Sequence, residues 1–198
     1  VYKRQFYNLP KADTFARWRD KAPRGFRYAL KFSRYGTHMK KLKDPADSIG
    51  AFLDRAEGLK AFLGPILVQL PPRWHADPER LAAFLRKAPR RRRWAIEFRN
   101  PCWLCDEVYE ILQSHNAALC IHDMLKEHPR LLTADWTYLR FHGNGYSGSY
   151  SHQALSVQAR WVKDRLADRI DVYAYFNNDA QGYAVRNALD LRRYIRDA

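Results

Sequence analysis

The stretch Trp94-Ala-Ile-Glu-Phe-Arg99 reads as a short β-strand whose two faces differ in kind. Successive strand side chains point to opposite sides, so Ile96 and Phe98 share one face while Glu97 and Arg99 share the other. The same alternation recurs on both sides of it. In FRYALKF (26–32), Phe26, Tyr28, Leu30 and Phe32 form an apolar face against Lys31, and in PILVQL (65–70), Ile66, Val68 and Leu70 oppose Gln69. In TYLRFHG (137–143), Leu139 and Phe141 oppose Arg140 and His142; in DVYAYFN (171–177), Val172, Ala174 and Phe176 oppose Tyr173, Tyr175 and Asn177. ALCIHD (118–123) ends in Asp123, in phase with Leu119 and Ile121, and His122 on the other parity reads as packed or surface. With YKRQFY (2–7), the chain offers seven candidate strands.

Helical patterns separate these runs. Asp44-Pro45 reads as an N-cap with proline in the first turn, followed by the stripe Ile49, Phe52, Leu53, Ala56 and Leu59. Asp77-Pro78 repeats the device ahead of Leu81, Phe84 and Leu85; further helices are expected around Val108 to Leu112, from Ala154 to Leu166 and from Ala184 to Ile195. Only His128 to Asp135 is too short for a full helix. Strands alternating with helices imply an α/β fold with a parallel sheet, because parallel strands need a crossover. The polar groups at the C-terminal ends of six consecutive strands then choose between an open doubly wound sheet and a TIM-type (β/α) barrel. An open sheet would bury a charged row beneath helices, whereas a barrel gives it a shared, water-accessible mouth.

At 198 residues, 46% hydrophobic and 28% charged, the chain is a globular protein able to bury roughly 70% of its unfolded surface. Disordered, collagen-like and disulfide-scaffold classes are excluded. No apolar run is long enough for a membrane span, and a cytoplasmic address with no membrane partner is expected. Thirty-five Lys and Arg against 21 Asp and Glu give a net charge of +14, which favours polyanions or phosphorylated metabolites as partners. The cysteines Cys102, Cys105 and Cys120 include a lone CxxC, which falls short of a zinc site or redox motif.

Other signals have plain readings. Gly143 to Gly148, GNGYSG, matches G-x-G-x-x-G, but so late in the chain it reads as a glycine loop over the site or a simple turn rather than a dinucleotide fingerprint. Arg90 to Arg93 precedes a strand and reads as a solvated rim. His38, in the loop after Lys31, is within reach of the mouth. Nucleophilic serine and zinc-peptidase motifs do not occur.

The motifs FYNLP, ALKFSRYGTH, LVQLPP, AIEFRNPCW, YLRFHG, YSGSYS and YFNND, in this order, resemble the YecE-like family, known as domain of unknown function 72. The resemblance runs from about Phe6 to the final helix and implies a TIM-type barrel whose activity is not established. By motif it implies pocket positions at Tyr7, Lys31, His38, Gln69, Glu97, Arg99, Trp103, Asp123, Arg140, His142, Gly143, Tyr150, Asn177 and Asn178. The family's opening strand and helix find no match here, and VYKRQ stands where E-x-N-x-T is usual. The expectation is a single domain over 1–198 that lacks the first strand and helix of the barrel.

Two functions are expected from different classes. In the first, a small phosphorylated or carboxylated ligand is clamped by Lys31, Arg99 and Arg140, with Glu97 or Asp123 as general base and His142 as general acid. A metal held by Glu97, Asp123 and His142 is disfavoured by the surrounding cations, so neither metal nor cofactor is assigned. In the second, the basic surface and abundant Trp and Tyr make a nucleic-acid-binding or processing module. A binding protein without turnover is the blander third.

Overall fold

Trp94–Glu97 is a strand, β3, fully buried along its length. It belongs to the first of two compact units into which the chain divides after Ala118. The structure is a computed structural model describing residues 10–143 and 146–197. The candidate strand at 2–7, and with it Tyr7, lies outside the described residues.

In the first unit, β1 (Tyr28–Lys31), β2 (Leu63–Gln69) and β3 pair in parallel in that order. Past a register shift between Tyr28 and Leu30, Leu30 lies beside Ile66 and Lys31 beside Leu67, and Gln69 lies beside Glu97, so residues of one parity share a face toward the strand ends. Helices α1 (Ala12–Lys21), α2 (Pro45–Ala56), α3 (Pro78–Lys87) and α4 (Asp106–Ser114) alternate with them. Phe32 is the hub of the core, with ring centroids 5.1 Å from Phe52, 5.5 Å from Phe84 and 6.0 Å from Trp94. Each such side chain contributes roughly 1.5–3 kcal/mol by leaving water.

The second unit follows β4 (Ala118–His122), which opens at the boundary. It pairs β4, β5 (Trp136–Phe141) and β6 (Asp171–Phe176) in parallel, with α5 (His152–Ala167) between β5 and β6 and α6 (Tyr183–Asp197) last. Ile121, Leu139, Phe141 and Phe176 bury against Leu155, Ala159 and Val162 of α5 and Ala184 and Leu191 of α6. Between β4 and β5 there is no helix, as the sequence spacing required. The described strands and helices thus make an α/β fold, with parallel strands in each unit. No helix among the described residues is long and apolar enough to cross a membrane.

Two local expectations need correction. Asp77 caps α3, its carboxylate accepting from the Arg80 amide at 3.1 Å, but Asp44 does not cap α2. Asp44 sits at φ 46°, in the left-handed region, where its carboxylate turns from the first-turn amides and accepts from Lys40 Nζ at 3.0 Å. Helix α1 was not legible, because Phe15 is its buried residue and an apolar stripe needs several. Tertiary contacts hold it: the Tyr28 hydroxyl donates to the Trp18 carbonyl at 2.9 Å, and the two rings stack.

Candidate functional site

The polar strand ends form one cluster in each unit. In the first, Lys31 Nζ donates to Gln69 Oε1 at 2.8 Å across neighbouring strands. Glu97, with no exposed surface, accepts from Arg99 Nε two residues along. His38 lies in a π-helical turn, Tyr35–Met39, with Nδ1 2.9 Å from Thr37 Oγ1. Burial, then Lys31 and Arg34, hold its pKa down to about 4, so the ring is neutral at pH 7. Trp103 is wholly buried, stacked on Phe98 at 5.0 Å, and its indole N–H donates to the Trp74 carbonyl at 2.8 Å.

The second cluster gathers around Asp123. The strand ends at His122, so alternation no longer governs Asp123, whose carboxylate turns to the end of β5. It accepts from the amides of His142 at 2.9 Å and Gly143 at 3.3 Å, and from the Tyr150 hydroxyl. His142 Nδ1 lies 3.1 Å from the same carboxylate, which places the proton on that nitrogen. Burial pushes the Asp123 pKa up, but the hydrogen bonds from His142 and Tyr150 outweigh it and bring it down to about 2. Burial and the neighbouring carboxylate push the Tyr150 phenol up, which keeps it a donor.

Gly143 is required in this grip. Its φ is +64°, and an added Cβ would lie 2.5 Å from the Ser147 carbonyl oxygen. Beyond it, Asn178 Nδ2 donates to the Gly148 carbonyl and to Asn187 Oδ1, both at 2.8 Å, and Asn187 Nδ2 donates to Ser149 Oγ at 3.0 Å. Asn178 is therefore a buried latch on the glycine loop. Arg140 Nε donates to Asn177 Oδ1 at 3.1 Å.

His122 is buried, as the packed reading expected. Register sets it beside Arg140, on the polar face, with its ring 6.1 Å from His142 and 4.5 Å from His128. Its signal was in the strand: if Leu119 and Ile121 make the apolar row, the polar member is His122. A cavity of about 280 Å³ opens here, lined by His122, Asp123, Lys126, His128, Arg130, Arg140 and Tyr150 and by the apolar Ile121, Leu139, Phe141 and Trp161. His142 and Asn177 stand beside it rather than in its lining. Lys126, Arg130, Trp161 and Asn187 had no sequence signal, because loop and helix positions acquire a direction only in the folded chain. Arg90 to Arg92, at the start of β3, are tied down: Arg91 and Arg92 pair with Glu57, and Arg90 donates to the Ser114 carbonyl.

Parallel strands alternating with helices, with polar groups at the C-terminal strand ends, define the class as an α/β protein. The comparisons are specific. The family model described as "Protein of unknown function DUF72" matches residues 3–198, and the chain belongs to that family. The curated UPF0759 protein YecE of Escherichia coli K12 is 32% identical over 98 residues, which are 48% of this chain and 35% of that protein. The chain thus aligns to about a third of that relative. A DUF72 family protein from Thermotoga maritima MSB8 superposes with a TM-score of 0.83 at 26% identity, over 96% of this chain and 82% of that one. One from Enterococcus faecalis V583 gives 0.83 at 21% identity, over 98% and 82%, and shows the fold.

Proposed function

We propose that this chain binds a small phosphorylated or carboxylated ligand in the cavity of the second unit, with Arg140 making the main anion contact. The observation that carries the reading is electrostatic. Lys126, Arg130 and Arg140 line the cavity, against Asp123, whose charge is already engaged by the His142 and Gly143 amides and the Tyr150 hydroxyl. An entering anion therefore meets cations. The TIM-type barrel is part of the same proposal, supported by parallel strands joined by helices within each unit.

The acid–base roles narrow. A carboxylate held near pKa 2 is a weak base at neutral pH, and Glu97 is buried on Arg99. Asp123 instead positions His142 and the Gly143 turn. Binding, rather than turnover, is the activity that this geometry supports best.

Calorimetric titration with inorganic phosphate and a phosphate monoester tests it. Arg140→Ala weakens affinity by about tenfold to a hundredfold, the worth of a charged hydrogen bond. Absence of binding, or affinity indifferent to Arg140→Ala, removes the proposal. Tight oligonucleotide binding with a steep salt dependence would favour the nucleic-acid reading instead.

A further inference from the structure

The positive charge of the chain is unevenly spread. Residues 1–118 hold 24 of the 35 Lys and Arg and 12 of the 21 acids, a net +12, whereas residues 119–198 carry +2. Within the first unit much of this charge stands where the chain enters the strands. Lys21, Arg24 and Arg27 precede β1, Arg55 and Lys60 precede β2, and Arg86, Lys87 and Arg90 to Arg93 precede β3. Over these segments, 21–27, 55–62 and 86–93, eleven cations meet one acid, Glu57. Because the strands are parallel, all three segments lie at one edge of the sheet, opposite the ends that carry Lys31, Gln69 and Glu97.

Contacts join the segments to one another. Arg19 Nη1 donates to the Gly58 carbonyl at 3.2 Å, which ties the last turn of α1 to the entry of β2. Glu57 is shared by Arg91 and Arg92, which ties that entry to the entry of β3. One carboxylate thus serves two guanidinium groups, and Arg24, Arg27, Lys60, Lys87 and Arg90 stay exposed. Cations in the last turn of a helix have a local reason, since they complement its dipole, and that covers Lys21, Arg86 and Lys87. It does not cover Arg24, Arg27 or Arg90 to Arg93, which lie outside the helices. An aromatic ring stands among them. Phe26, 44% exposed between Arg24 and Arg27, sits on a turn in which its amide donates to the Pro23 carbonyl at 3.1 Å and Gly25 takes φ +83°. Its ring meets the Tyr28 ring edge to face at 4.8 Å, which holds it in place while the residue stays open to water.

We propose that this edge of the first unit docks single-stranded nucleic acid, with its cations on the phosphates and Phe26 stacked on an unpaired base. Eight of the eleven cations are Arg, whose planar fork suits phosphate. One exposed ring with no apolar face around it suits a base better than a bilayer. Binding is sequence-independent and weak, with a Kd of about 1–100 µM at physiological salt. It does not depend on the cavity of the second unit, and its failure leaves the anion reading standing.

A labelled oligothymidylate, its duplex with oligoadenylate, and phosphatidylserine vesicles test the full chain by fluorescence anisotropy and cosedimentation across a salt series. The single strand binds, and its log affinity falls linearly with log salt. Phe26→Ala weakens the single strand about fivefold to a hundredfold at an unchanged salt slope and leaves the duplex unaffected. Arg24→Glu combined with Lys87→Glu weakens both nucleic acids about tenfold or more and flattens the slope. Arg24→Gln with Lys87→Gln serves where the charge-reversed variant does not fold, and shows the same effect in smaller measure. No binding of the single strand at low salt, or an affinity untouched by the Arg24 and Lys87 variants, overturns the surface. Preference for the duplex, or indifference to Phe26→Ala, overturns the stacking. Binding to vesicles alone overturns the nucleic-acid partner and gives the edge to a membrane instead.

Discussion

The first unit ties its polar strand ends to one another along and across its own strands, whereas the second ties them to backbone amides at the end of a neighbouring strand. Glu97 takes Arg99 from the same strand end, and Lys31 takes Gln69 from the next strand. Asp123 takes the His142 and Gly143 amides and the Tyr150 hydroxyl. In the first cluster the one buried carboxylate faces a guanidinium from its own strand end. Asp123 is satisfied by amides and a hydroxyl, and Lys126, Arg130 and Arg140 line the cavity beside it. A row of charged strand ends is thus not a site in itself; what its members pair with decides.

Removing one partner of the buried pair should give the largest effect. Arg99→Met leaves Glu97 buried without its guanidinium and lowers urea-unfolding stability by about 3–5 kcal/mol, while adding Glu97→Gln restores much of it. A loss as small as that of a surface pair would mean that the first cluster is not self-contained. Next, Gly143→Ala costs about 1–2 kcal/mol through its left-handed backbone, and more where the Ser147 carbonyl must move. Gly148, at φ +78° with open space where a Cβ would be added, should tolerate alanine better. Equal costs would show that the close approach at Gly143 is relieved without effort.

Helix caps give smaller effects. Asp77→Ala in the first unit and Ser151→Ala in the second each lose about 1 kcal/mol in thermal or urea unfolding, since each side chain holds a first-turn amide. Asp44→Ala should cost less than either, because it caps nothing. Smallest are two pH slopes, trimmed by solvent screening. His38, held to about 4, refuses a proton that the unfolded chain takes below its ordinary 6.5. Its contribution is complete above 6.5, declines as pH falls toward 4, then levels off. Asp123, held to about 2, contributes fully above its ordinary 3.8 and loses that contribution as pH falls through about 2. His38→Gln should flatten the upper slope and Asp123→Asn the lower, followed by unfolding at stepped pH; unchanged slopes would dissociate these groups from acid stability.

Much of this was legible in advance because side-chain alternation is local. The faces of β1, β2, β3 and β5 follow from the order of apolar and polar residues, and proline after aspartate correctly opens α3. The expectation failed where a local rule ended or a nonlocal contact began. Asp123 escapes the alternation rule because the strand stops at His122. Helix α1 has too little apolar stripe to announce itself, and Asp44 was read by its neighbour proline although its backbone is left-handed.

What the residue order determined by itself is the alternation of strand and helix, the two-faced strands, the short β4–β5 connection and the positive charge. Folding alone decided that Glu97 pairs with Arg99 and that Asp123 closes on the end of β5. The first set follows from periodicities of two and 3.6 residues, which are written within a few positions. The second depends on which strand ends lie side by side, and register is set by packing between distant segments.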